Sequence, residues 1–205
     1  MASETTTNTL WVLFLSSIIV TSNYWTHELG MAFYDKTENN GKVFDLLHAV
    51  TPDLSDFKPY NDIIVSAVAL SFLFVPKGVT LFKEFAAKFI LIMVIRALTT
   101  ISTILPKHEK CDSTPRLSRY IKGQCYDKVF SGHTSFVLLA TLIFLREGIL
   151  GLPAFLGINL ANITGIILTR SHYTVDIVLA ILITLLVYDG DYHIFTNWMK
   201  RIEGK

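Results

Sequence analysis

Two histidines stand where reaction chemistry could begin. His133 opens the apolar run FSGHTSFVLLATLIF (Phe130 to Phe144), and His172 lies in RSHYTVDIVLAILIT, four residues ahead of Asp176. At helical spacing, residues four apart share one face. Asp176 can therefore take a proton from one ring nitrogen of His172 and leave the other as a nucleophile, which is what attack on phosphorus requires. His133, supplied from another helix, could protonate a departing oxygen and later take the proton of an incoming alcohol. Ser131, Gly132 and Thr134 offer hydroxyls and a closely approachable backbone at a helix start, where phosphate oxygens are readily held. Arg96 lies inside another apolar run and should face a protein interior rather than lipid. It suits two-pronged phosphate recognition, or a structural pair with a buried acid or carbonyl. Arg170, two residues before His172, is a second candidate of the same kind. A metal site built from His133, His172 and Asp176 is the lesser reading, and no metal or other cofactor is expected.

The composition says what must position these groups. Of 205 residues, 51% are hydrophobic and 17% charged, with a mean hydropathy of +0.46. The apolar residues arrive in blocks rather than at amphipathic spacing, which argues for an integral membrane protein. A net charge of +1 without any basic run gives no reason to expect a nucleic-acid partner. Six blocks predict an all-α, six-transmembrane-helix bundle forming one domain over 1–205, with spans at about 9–25, 62–80, 85–105, 129–146, 148–169 and 173–189. The first block has no basic segment ahead of it and no small-residue cleavage site after it, so it is kept as a span. Trp11, Trp25 and Trp198 fall near block ends, as headgroup-level anchors do. Gly157, Ala161 and Gly165 form a small-residue stripe that predicts close helix packing.

Counting crossings places the chemistry. Two spans lie between His133 and His172, so both imidazoles return to the same membrane face at helix beginnings. Basic residues are more numerous in the loops on that face, which by the positive-inside rule would make it cytosolic; basic residues that bind an anionic substrate would distort that count. Cys111 and Cys125 lie in one polar segment of that face. They are either two free thiols or a disulfide closing about 15 residues, worth roughly 3 kcal/mol and at home on the oxidising side of a membrane.

SGHT followed by a span, then HYTVD opening the next span but one, resembles the lipid phosphatase and phosphotransferase superfamily. Within it the chain is most similar to sphingomyelin synthases and related ceramide phosphotransferases. RALTTISTILPKHEKC (Arg96 to Cys111) is similar to the segment ending their third span, CYDKVFSGHTSF (Cys125 to Phe136) to their second motif, and HYTVDIVLA (His172 to Ala180) to their third. The resemblance implies that His172 forms a phosphohistidine, that Asp176 orients it, and that His133 is the acid and base. It adds Tyr173 to the candidate binding residues. It also implies a luminal or exoplasmic site in endomembrane (Golgi or ER) or plasma membrane, in agreement with a Cys111 to Cys125 bridge. The implied partners are a phospholipid donor of phosphocholine or phosphoethanolamine and a ceramide or diacylglycerol-like acceptor; an oligomer is left open. The chain departs from the lipid phosphate phosphatases: seven residues separate Lys88 from Arg96, Ala97 follows where they have proline, and Ile166 stands where they have arginine. These departures disfavour simple hydrolysis, which stays as the alternative, with a non-catalytic lipid-binding protein as the third reading. TPDLSDF, around Pro52 and Asp53, is read as a structural loop.

Overall fold

The computed structural model describes residues 13, 16–28, 31, 43, 45–106, 125, 126 and 128–189. All regular structure among them is helical. The elements are α1 (residues 16–28), α2 (Leu46–Val50), a 3-10 turn (Ser55–Phe57), α3 (Pro59–Ser71), α4 (Gly78–Ser102), α5 (Gly132–Arg146), α6 (Leu152–Leu168) and α7 (Thr174–Asp189).

Helix α5 is the axis of the bundle and packs against α3, α4, α6 and α7. Its Val137, Leu139, Ala140 and Ile143 are wholly buried. An aromatic cluster seals one side of the core: the Phe72 and Phe144 rings lie 4.7 Å apart, as do those of Phe85 and Phe136. The outward faces are apolar too, with Phe74 84%, Leu73 75% and Leu186 70% exposed. Polar groups lie inside instead. Asn159 donates to Thr141 Oγ1 at 2.9 Å, and Asn162 and Thr184 are completely buried.

The helix ends follow local chemistry. Proline begins α3, where its missing N–H costs nothing. The expected second span over 62–80 is broken: α3 stops at Ser71, and α4 starts at Gly78 after turns that include Pro76. Lys77 is left-handed (φ 56°), and a β-carbon on Gly78 would stand 1.8 Å from the Phe72 carbonyl oxygen. Only glycine fits there. Helix α4 therefore begins ahead of the expected residue 85. It runs through charged residues because Glu84 pairs with Lys88 at 3.5 Å and takes both Arg146 nitrogens at 2.7 Å. The Arg146 pair ties the ends of α4 and α5 remote from His133.

At 25 residues, α4 is the one helix among those described that is long and apolar enough to cross a membrane. It extends about 37 Å. Helices α5 and α6, with 15 and 17 residues, are apolar but shorter. The expected 129–146 and 148–169 spans lose residues at their starts to the Ser131 cap and to the turn carrying Gly148 (φ 69°) and Gly151. The small-residue stripe packs at one end only. Tyr60 presses on Gly165, whereas a β-carbon on Gly157 would meet nothing within 4 Å.

Candidate active site

The two histidine motifs are joined through the residues that precede α5. Lys128 donates its ammonium to the Ser171 carbonyl at 2.6 Å, His172 Nδ1 meets the Lys128 carbonyl at 2.8 Å, and Ser131 N donates to the Asp176 carbonyl at 3.3 Å. The start of α5 and the start of α7 are thus one assembly.

Because a carbonyl can only accept, His172 Nδ1 must carry a proton, which in the neutral ring leaves the lone pair on Nε2. Asp176 was expected to set that tautomer. In the structure the Lys128 carbonyl takes the bond, and Asp176 Oδ2 stands 3.6 Å from Nδ1 while accepting from Tyr173 N at 2.9 Å. The carboxylate therefore serves twice. It satisfies an orphan N–H at the start of α7, and it places a negative charge beside the imidazole. Asp176 is completely buried and His172 nearly so.

His133 projects from the first turn of α5 and meets a partner that spacing did not indicate: its Nε2 lies 3.1 Å from Asp62 Oδ1 on α3. Both are open to solvent, with side chains 27% and 53% exposed. Such a pair adds little stability, but a ring held there can exchange protons.

Ser131 caps α5. Its Oγ accepts from Thr134 N at 3.2 Å and from Thr134 Oγ1 at 2.9 Å, so the two hydroxyls face each other. Arg96 is buried beneath this turn, as an inward-facing arginine should be. Nε donates to the Phe130 carbonyl at 3.1 Å and Nη1 reaches Asn23 Oδ1 at 3.5 Å. A β-carbon on Gly132 would stand 3.5 Å from Arg96 Nε. Arginine and turn are in contact, and Phe130 in that turn is left-handed (φ 71°).

Arg170 ends α6 in a left-handed conformation (φ 54°) where glycine is usual. Its guanidinium offsets that strain by donating to Thr51 Oγ1 at 2.9 Å, to the Thr51 carbonyl at 2.5 Å and to the His48 carbonyl at 3.0 Å. It clamps the end of α2, and it also borders a cavity of about 20 Å³, the size of a water molecule, lined by His48, Lys128, His172 and Tyr173 as well. The Tyr173 hydroxyl donates to the Pro106 carbonyl at 3.1 Å. Cys125 is buried and disulfide-bonded; Cys111 lies outside the described residues.

Sequence reasoning also missed Asp45 and His48. Asp45 caps two helices, accepting from His48 N at 2.9 Å and from Thr174 N at 2.6 Å. Although burial opposes it, these bonds hold the Asp45 carboxyl below its usual range. His48 Nε2 lies 3.1 Å from the His172 carbonyl, so it carries a proton to donate there. Burial lowers the affinity of His48 for a second proton; Asp45 opposes this, while Arg170 and Lys128 add to it. The unfolded chain therefore takes up that proton first, and the stability His48 contributes is present above about pH 6.5 and lost as pH falls towards its lower folded value. Thermal melting of the wild type should drop between pH 7 and 5 by a few degrees more than that of His48→Gln. Equal drops would remove His48 from the account.

A search of curated proteins gives no match to the chain. Residues 124–194 match the family model described as PAP2 superfamily C-terminal. That stretch is roughly a third of the chain, and it contains Lys128, the turn from Ser131 to Thr134, His172 and Asp176. The joined starts of α5 and α7 thus fall in a segment similar to the superfamily of type 2 phosphatases and phosphotransferases, which supports a lipid-directed phosphatase or phosphotransferase activity at a membrane.

Proposed function

We propose that the chain is a multi-pass membrane phosphotransferase of the sphingomyelin synthase type. It moves phosphocholine or phosphoethanolamine from a glycerophospholipid to ceramide or another lipid alcohol. The observation that carries this reading is the fixed tautomer of His172, whose Nδ1–H is held by the Lys128 carbonyl in the same assembly that presents His133.

In the first half-reaction Nε2 of His172 attacks the donor phosphorus. The N–P bond forms, the bond from phosphorus to the glycerol oxygen breaks, and His133 gives that oxygen its proton. In the second, His133 takes the proton of the acceptor hydroxyl, whose oxygen attacks phosphorus and releases His172. Asp176 stabilises the positive charge that develops on the His172 ring. The first-turn N–H groups of Gly132 and His133 face the phosphate at the positive end of α5, and the charge of Arg96 lies beneath them. In this reading Ser131 and Thr134 shape that turn, while Arg170, Lys128 and Tyr173 wall the pocket behind His172.

Outward apolar faces over an interior that holds the buried Asn159, Asn162 and Thr184 support several crossings of a bilayer. The disulfide at Cys125, three residues before Lys128, supports a bridge to Cys111 and a luminal or exoplasmic site. Purified protein in mixed micelles with fluorescent ceramide and a panel of phospholipids tests the reading. Headgroup-bearing ceramide is the expected product; phosphate released from phosphatidic acid, without any transfer product, would replace transfer by hydrolysis.

A further inference from the structure

The loop that carries the nucleophile, Arg170 to Thr174, is gripped from two sides. One grip is the lead into α5, through Lys128 and Ser131. The other comes from residues 45–51, far outside the family-matched stretch 124–194. Alternate residues of the loop bond to this segment. Arg170 donates to the Thr51 and His48 carbonyls, His48 Nε2 donates to the His172 carbonyl at 3.1 Å, and Asp45 accepts from Thr174 N at 2.6 Å and Thr174 Oγ1 at 2.7 Å. The His48 ring also lies 5.6 Å from that of Tyr173.

These bonds act on the peptide planes next to the nucleophile. The plane joining His172 to Tyr173 has its C=O held by His48 and its N–H held by Asp176 Oδ2 at 2.9 Å. The following plane has its N–H held by Asp45. A peptide unit is rigid, so fixing one at both ends sets ψ of His172. That torsion, together with the Nδ1 bond to the Lys128 carbonyl, decides where Nε2 points.

Asp45 also completes the start of α7. The residue before a first turn often takes an orphan N–H of that turn with its own side chain. Tyr173 does not, because its hydroxyl is engaged at Pro106; Asp45 supplies the acceptor from another segment. Core packing contributes little to α2. None of its residues is fully buried, Leu46 and Val50 are 61% and 71% exposed, and Leu47 packs beside Ile166, Ile167 and Ile177. The polar groups of the segment go to the loop instead.

We infer that residues 45–51 form a clasp on the nucleophile loop, in which His48 and Asp45 are positioning residues that aim Nε2 of His172. The inference rests on the phosphotransfer reading for what is aimed, while the clasp itself has a readout that needs no transfer. Its effect falls on the rate of attack and not on donor affinity, since both residues act through the backbone of the loop.

His48→Leu removes the N–H that holds the His172 carbonyl, whereas His48→Gln keeps an N–H at a similar reach. Phosphohistidine formation at saturating donor should fall about 10²-fold in His48→Leu, with the donor KM within about twofold of wild type, and should return to within about threefold in His48→Gln. Hydrogen exchange in the peptide spanning residues 171–176 should quicken in His48→Leu and stay native in His48→Gln. Thr174→Val keeps its N–H and loses the hydroxyl bond to Asp45; it should slow the same step about threefold. If His48→Leu does not fold, Thr174→Val decides, and a native rate there overturns the inference. A native rate in folded His48→Leu would overturn it, as would equal losses in His48→Leu and His48→Gln or a loss confined to KM. Failure of the phosphotransfer reading looks different: the wild type then forms no phosphohistidine. The clasp is in that case judged by hydrogen exchange, and native exchange in His48→Leu removes it.

Discussion

A His172→Asn protein is expected to lose headgroup transfer by more than about four orders of magnitude while melting close to the wild type. Asparagine is the informative choice because its side-chain N–H can replace Nδ1–H at the Lys128 carbonyl, 2.8 Å from the ring in the native protein. Alanine would remove the nucleophile and also strand a buried carbonyl, at a cost of about 1–3 kcal/mol. A defect in His172→Ala alone could then reflect lost structure. Near-native melting with abolished transfer, measured in the same His172→Asn preparation, separates the roles. Retained transfer would move the nucleophile elsewhere.

The second large effect concerns His133. Removing a positioned acid and base costs about 10²- to 10⁴-fold, and His133→Ala is expected within that range. The loss should depend on the leaving group. A donor whose alcohol is replaced by nitrophenol departs without protonation, so the first half-reaction should recover most of its rate, and a burst of nitrophenolate measures it directly. Asp62→Asn should cost less, about tenfold, because the carboxylate acts through His133 and is itself largely exposed. An equal loss with both donors would make His133 a structural residue.

What could be read from the chain beforehand was what depends on short spacing. The placing of His133 near the start of α5, of His172 and Asp176 at the head of α7, and the inward position of Arg96 follow from local pattern, whereas the span expected from 129 began ahead of the Ser131 cap. The break at Lys77 and Gly78 was hidden because Phe72, Phe74 and Val75 keep the hydropathy high through a turn forced by backbone sterics. The orienting role of the Lys128 carbonyl could not be read at all, since every residue has that group and only the fold aims it at an imidazole. Asp62 did leave a signal. It heads an apolar block, and the six expected spans would set that head on the same face as His133 and His172. Asp45 and His48 lay in a polar loop without periodicity, and their double cap exists only once α2 is docked on α7.

The central claim is a covalent phosphohistidine at His172, and the most direct measurement is to trap it. The protein would be mixed with a phosphocholine donor labelled in its headgroup, without acceptor, quenched in alkali where phosphoramidates survive, and digested for mass spectrometry. The account predicts phosphocholine mass on the peptide containing His172, discharged by added lipid alcohol in the wild type and, in His133→Ala, formed rapidly only with the nitrophenyl donor. Label on another residue, or transfer at the native rate with no label on His172, would contradict it.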